Sequence, residues 1–372
     1  MTTVQALTRR KFLRHCAASA AAVAAAPALA QTTAERQFRP QSGTWRCFEV
    51  TTRVDLPPGL GASRVWLPVP SLDSEWQQSM ESVFSSNGSA RLTADGQYGA
   101  RMLQVAFSER QEMPFVELTS RVRTQDRAVD WTQRGPVRED AATLQAWTRP
   151  TSLLPTHGLV RATALEVSKG ATSDVEKVRR LYDWIVANTY REPKVRGCGE
   201  GDILTMLETG NLGGKCADIN ALFVGLCRSV GIPARDVYGV RLAPSAFGYR
   251  ELGGNSASLK GAQHCRAEVF LNAHGWVAMD PADVAKVMRQ ETPEWIRSTR
   301  NPVVAPVNKA LFGGWEGNWM AFNNAHDLAL PNAKGARLGF FMYPTAESAA
   351  GRLDSYAPDD FRYQVSAREI KA

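Results

Sequence analysis

Two hydrophobic rhythms divide the chain. From about residue 43 to 132, apolar and polar positions alternate, the period of a half-buried strand. Residues 45–54, 63–70, 101–107 and 115–122 carry it most clearly, and Pro57-Pro58-Gly59 and the prolines at 68 and 70 stop the first two. Strands at this spacing predict a small antiparallel sandwich. Residues 133–156 are polar and dotted with proline, as a linker is. From Leu159 the period becomes helical. Ser173-Asp174-Val175-Glu176 is a capping pattern, and Val178, Leu181, Tyr182, Ile185 and Val186 follow on one face. Residues 195–215 are glycine-rich around a short apolar turn at 203–207. A second helix is predicted to start at Cys216, with Ile219, Leu222, Phe223, Leu226 and Val230 on its apolar face and Gly231-Ile232-Pro233 as its stop. Strands follow at 236–242, 265–271 and 276–279, the last two joined by the hairpin turn Asn272-Ala273-His274-Gly275. Beyond Pro281, residues 338–344 and 361–365 are short strand candidates that need a partner sheet, and the N-terminal sandwich is the expected one. The expectation is an α+β chain with an N-terminal β domain at 31–145, a central unit at 150–295 and a β-containing extension at 296–372.

The first thirty residues read as an address. Thr8-Arg9-Arg10-Lys11-Phe12-Leu13-Arg14 is a twin-arginine pattern, an alanine-rich run follows, and Ala28-Leu29-Ala30 fits a cleavage site. That run is too short and too rich in alanine to span a bilayer well, and no later segment has eighteen uninterrupted apolar residues. The expectation is export by the twin-arginine pathway, a periplasmic or secreted location and no stable membrane span after signal removal. Cleavage removes four basic residues from a formal charge of +7, leaving +3. The mature chain is only mildly basic and has no dense Lys/Arg stripe with interleaved aromatics, which argues against nucleic acid.

Chemistry concentrates at Cys216. The turn Gly213-Gly214-Lys215-Cys216-Ala217-Asp218 runs straight into the predicted helix. A thiol acts as a nucleophile when ionised, and a helix N-terminus with a neighbouring lysine favours the anion. His264 and Asp280 lie on the two arms of the predicted hairpin, within a few positions of facing each other. A thiol, an imidazole and a carboxylate are the parts of thiolate acyl transfer. His157, His274 and His326 are the rival histidines, each expected at the surface, and Asp218 and Asp283 are fallback orienters. Cys47, Cys198, Cys227 and Cys265 also survive cleavage; an odd total of five flags one free thiol, and up to two disulfides stay open. Cys227 reads as a small core residue. Zinc is disfavoured, because no C-x-x-C or H-x-x-x-H spacing occurs, and neither metal nor cofactor is expected.

In combination and order, four segments resemble the transglutaminase-like core of the papain-like cysteine enzyme superfamily. They are Gly213–Asp218, then Arg228-Ser229-Val230-Gly231-Ile232-Pro233-Ala234-Arg235, then His264-Cys265-Arg266-Ala267-Glu268-Val269-Phe270, then Gly275-Trp276-Val277-Ala278-Met279-Asp280-Pro281-Ala282-Asp283. The resemblance spans about residues 175–285. It implies Cys216 as nucleophile, His264 as acid/base and Asp280 as orienter, with the cysteine helix packed on an antiparallel sheet that bears the other two. It implies attack on amide or peptide bonds through a thioester, ending in hydrolysis or acyl transfer, on a peptide, protein or cell-wall amide. Arg266 departs from the family, which often has tryptophan there. The competing class is a non-catalytic peptide or cell-wall binding module on the same fold.

Overall fold

The computed structural model of the protein covers residues 36–133 and 135–371, so the expected leader at 1–30 lies outside the described residues. Six strands occupy the first third: β1 (Arg46–Asp55), β2 (Ser63–Pro68), β3 (Gln77–Ser86), β4 (Ser89–Ala94), β5 (Arg101–Phe107) and β6 (Phe115–Thr124). β1, β2, β5 and β6 fall where alternation predicts them. β3 and β4 do not, because they are edge strands with largely exposed, polar sequences. An edge strand needs a neighbour's backbone more than a buried face, so its sequence carries little period.

The segment expected as a linker contains a short helix, α1 (Ala141–Ala146), whose N-terminus is capped by Asp140 accepting from Thr143 N at 2.8 Å. α2 (Gly158–Val167), α3 (Asp174–Asn188), α4 (Ile203–Thr209) and α5 (Cys216–Ser229) follow. Ser173 caps α3 by accepting from Glu176 N, as the capping pattern predicts. Every residue of α5 is buried, which suits a helix enclosed on all sides. Gly225 lets α4 approach it: a Cβ there would lie 2.2 Å from Ile203 Cδ1.

The central sheet holds β7 (Ala234–Arg241), β8 (Gln263–Leu271), β9 (Gly275–Met279) and β10 (Trp319–Asn323) in the order β9-β8-β7-β10, all antiparallel. α6 (Pro281–Gln290) leaves directly from β9. The expected 276–279 hairpin is thus present, and β10 completes the sheet from far along the chain.

The last strands return to the N-terminal sheets. β11 (Thr345–Ser348) pairs with β2, and β12 (Tyr363–Ile370) pairs with the length of β1. One sheet therefore runs β12-β1-β6-β3, and the other is built on β11-β2-β5-β4. The strand expected at 338–344 does not form; that segment has only an isolated bridge, Leu328 to Leu338. Phe341 and Met342 are buried there, and Asn323 Nδ2 donates to Phe341 O at 2.8 Å. Side-chain burial, rather than a ladder, holds this apolar run. Gln77 of β3 uses its side-chain amide as a substitute peptide, donating to Ala321 O and accepting from Ala321 N of β10 at 2.9 and 2.7 Å. Apolar residues of the two N-terminal sheets, α3, α5 and the central sheet join one buried cluster.

Candidate active site

Asp218 builds the turn that presents Cys216. Its Oδ2 accepts from Lys215 N at 2.8 Å, and its Oδ1 accepts from Glu200 N and Gly201 N, both at 2.9 Å. One carboxylate in the first turn of α5 therefore ties the 199–201 loop to the turn before the helix, where backbone N–H groups lack helical partners. Asp218 is an organiser of the loop, not an orienter of His264. Gly199 sits against it with φ +90°, and a Cβ there would lie 1.8 Å from Asp218 Oδ2. We expect Gly199→Ala to cost about 2–4 kcal/mol in urea unfolding, from backbone strain and overpacking together. A loss within experimental error would show that Asp218 is not locked in place.

Cys216 is the first residue of α5, and Ala217 N donates to Cys198 O at 2.9 Å. Among the described residues, the Cys216 N–H has no hydrogen-bond partner. All five described cysteines are free thiols. Three of them gather here. Burial alone would push the Cys216 thiol up, but hydrogen bonds from Cys198, Cys265 and His264 hold it well below the usual thiol range. Its hydrogen bond to Cys216 and burial raise Cys198; burial and then the same kind of bond raise Cys265. Of the three thiols, Cys216 is the one held down, and its two neighbours are held up. Cys198 also donates to Gln263 O at 3.2 Å and accepts from the Tyr343 hydroxyl at 3.1 Å. Cys227 is a core residue whose thiol burial pushes up.

The hairpin supplies the other two residues. β8 and β9 pair Leu271 with Gly275 and Ala267 with Met279. Asp280, one step beyond, lies diagonal to His264 and caps α6, accepting from Asp283 N at 3.1 Å. His264 Nε2 is 2.7 Å from Asp280 Oδ2 and 3.4 Å from Asp283 Oδ2. That leaves Nδ1 for Cys216. Asn220, one helical turn after Cys216, donates from Nδ2 to Asp280 Oδ1 at 3.2 Å and to Cys265 O at 2.8 Å. Burial and Arg241 press His264 towards neutrality, but Asp283 and Asp280 prevail and raise it to about 9. Burial pushes Asp283 up, but Arg241, with Nη2 2.5 Å away, His264 and Lys286 together hold it well below the carboxylate range. The structure thus brings Cys216, His264 and Asp280 together and makes Asp283 a second carboxylate on the same imidazole.

Arg266 stacks its guanidinium 4.6 Å from the Trp319 ring and 5.1 Å from Trp315, with Nε 3.6 Å from Asp280 Oδ2. Trp319 Nε1 donates to His264 O at 2.9 Å. His264, Asp280 and Asp283 have the geometry to hold a cation, but Arg241 and Arg266 already place positive charge on both carboxylates. Of the rival histidines, His157 is exposed and His274 packs edge-on to Trp131. His326 is buried, not at the surface as expected, with Nε2 3.4 Å from Asp236 Oδ2. Sequence reading missed Asn220, Arg241 and Tyr343. Only Asn220 had a signal, its helical spacing from Cys216.

The model of the transglutaminase-like superfamily matches residues 161–281, the segment that carries all three residues. That segment is a transglutaminase-like core. The chain is 33% identical over 344 residues to an uncharacterised protein of Haemophilus influenzae, covering 87% of this chain and 91% of that one. A solved structure of a protein provisionally named a cysteine protease, from Cytophaga hutchinsonii, shares the fold with a TM-score of 0.53 and 15% identity, over 89% of this chain and 92% of that one. The transglutaminase-like core thus comes with antiparallel sheets on both sides of it in sequence. Among the described residues, no helix is long and apolar enough to cross a membrane.

Proposed function

We propose that this transglutaminase-like protein is an exported cysteine enzyme acting on amide or peptide bonds. The observation that carries the reading is the short His264–Asp280 contact beside Cys216, whose thiol is held well below the usual range. The Cys216 thiolate attacks the amide carbonyl, and its sulfur forms the new bond to carbon. The unpartnered Cys216 N–H stabilises the oxyanion. His264, as imidazolium, gives its proton to the leaving amine as the carbon–nitrogen bond breaks, leaving a thioester. Water, deprotonated by the now neutral His264, hydrolyses it; a second amine completes acyl transfer by the same route. Asp280, steadied by Asn220, orients the ring. The twin-arginine pattern at residues 8–14 supports a periplasmic or secreted site of action on peptide, protein or cell-wall amides.

The thiolate–imidazolium pair exists above the Cys216 pKa, which lies well below 9, and below the His264 pKa of about 9. With a fluorogenic peptide amide, kcat/KM is expected to fall above about pH 9. Asp280→Asn removes a charge that favours imidazolium, so the fall should move to lower pH. An alkaline limb that ignores Asp280→Asn would remove His264 as the acid.

One observation favours the binding-module reading: Cys216 is 3% exposed. A small electrophile that labels Cys216 in the native protein decides for the enzyme. Labelling only after unfolding decides for the binder.

A further inference from the structure

We propose that the cleft at the C-terminal end of α5 binds a carboxylate carried on a flat apolar body, such as the free C-terminus of a peptide ending in an aromatic residue. This site is separate from the candidate active site. Cys216 and Arg228 are twelve residues apart on α5, or about 18 Å at 1.5 Å per residue.

The cleft has a volume of about 390 Å³. Two of its lining residues carry buried polar atoms with no partner among the described residues: Arg228 Nη2 and Thr151 Oγ1. Arg228 is 3% exposed. Its Nε donates to Ala234 O at 2.7 Å and its Nη1 to Arg149 O at 3.2 Å, so two arms of the guanidinium are held and the third is left over. No carboxylate lies within ion-pair distance of it among the described residues. Asp236 is the acid that acts on it electrostatically. Burial raises that carboxyl to about 7, and its neighbour His326 is pushed well below its ordinary value by burial and then by Arg228. The interior therefore offers this cation only partial compensation, and a buried cation without a close anion is costly.

A carboxylate fits what is missing. One oxygen accepts from Arg228 Nη2 and the other from the Thr151 hydroxyl, a charge-assisted pair of bonds. The walls suit an apolar body. Tyr98 and Trp147 line the cleft with ring centroids 5.6 Å apart and planes 36° from parallel. The guanidinium of Arg228 lies 5.6 Å from the Trp147 ring, and that of Arg235 lies 5.7 Å from it. An inorganic anion would leave both rings unused.

Calorimetric titration of the intact protein with N-acetylphenylalanine tests this, with its amide and inorganic phosphate as controls. The acid should bind saturably, with the amide and phosphate each at least about tenfold weaker. Thr151→Val should weaken the acid about tenfold without lowering stability, because Oγ1 has no partner to lose. Arg228→Met should weaken it about a hundredfold; Thr151→Val carries the test if that variant does not fold. Equal binding of acid and amide, phosphate binding as tight as the acid, unchanged affinity in Thr151→Val, or no saturation by about 10 mM would each overturn the proposal.

Discussion

Cys216→Ala is expected to lower amide turnover by on the order of 10³-fold or more, to the background of what binding and the backbone donor alone supply. The neighbouring thiols cannot take over. Cys198 and Cys265 are both shifted upward, so neither is ionised where Cys216 is. Cys198 also has its sulfur engaged by Tyr343 and Gln263. An electrophilic thiol probe applied near pH 7 should therefore label Cys216 first, and the alanine variant should take up no label on that timescale. Cys265→Ala removes a neighbour that lowers the Cys216 thiol, and should slow labelling of Cys216 without abolishing it. Turnover that survives in Cys216→Ala, or label that goes to another cysteine in the wild-type protein, would refute the nucleophile assignment.

Arg241→Met should destabilise the protein by about 3–5 kcal/mol, the cost of leaving a buried carboxylate without its partner. Arg241 and Asp283 are 3% and 2% exposed at their side chains and 2.5 Å apart, and Arg241 Nη1 also donates to Leu252 O at 2.8 Å. Asp283→Asn in the same chain should recover most of the loss, because it removes the stranded charge. Equilibrium urea unfolding of the single and double variants measures both. A single variant within about 0.5 kcal/mol of wild type, or a double variant less stable than the single, would show the pair is not the anchor of this region. The same substitution should move the alkaline limb of activity upward, because Arg241 presses His264 towards the neutral form. That is opposite in sign to Asp280→Asn. The two variants together separate the positive and negative neighbours of one imidazole.

Much of this was legible in the sequence because it rests on local rules. The capping serine of α3, the glycine-rich turn before α5, the β8–β9 hairpin and the four well-patterned N-terminal strands each follow from residues a few positions apart. Elements held by something other than their own period were not legible. β3 and β4 are exposed edges, and within 338–344 only residues 341–344 are buried, without a ladder, so polarity hid two strands and apolarity suggested a false one. His326 was misplaced for the same reason: a lone histidine in irregular chain carries no signal of the buried Asp236 beside it.

By itself the sequence determined which residues could do thiolate chemistry, and in what order a helix, a hairpin and a capping aspartate would offer them. Cys216, His264 and Asp280 follow from turn chemistry, periodicity and the resemblance those segments bear. Only the tertiary structure decided the electrostatics that separate one thiol from its neighbours. Cys198, Cys216 and Cys265 come from a loop, a helix start and a strand, and His264 is balanced between Arg241 and two carboxylates drawn from different elements. Charge and hydrogen bonding depend on distance through space, and residues far apart in the chain set those distances only once the sheet and α5 have packed.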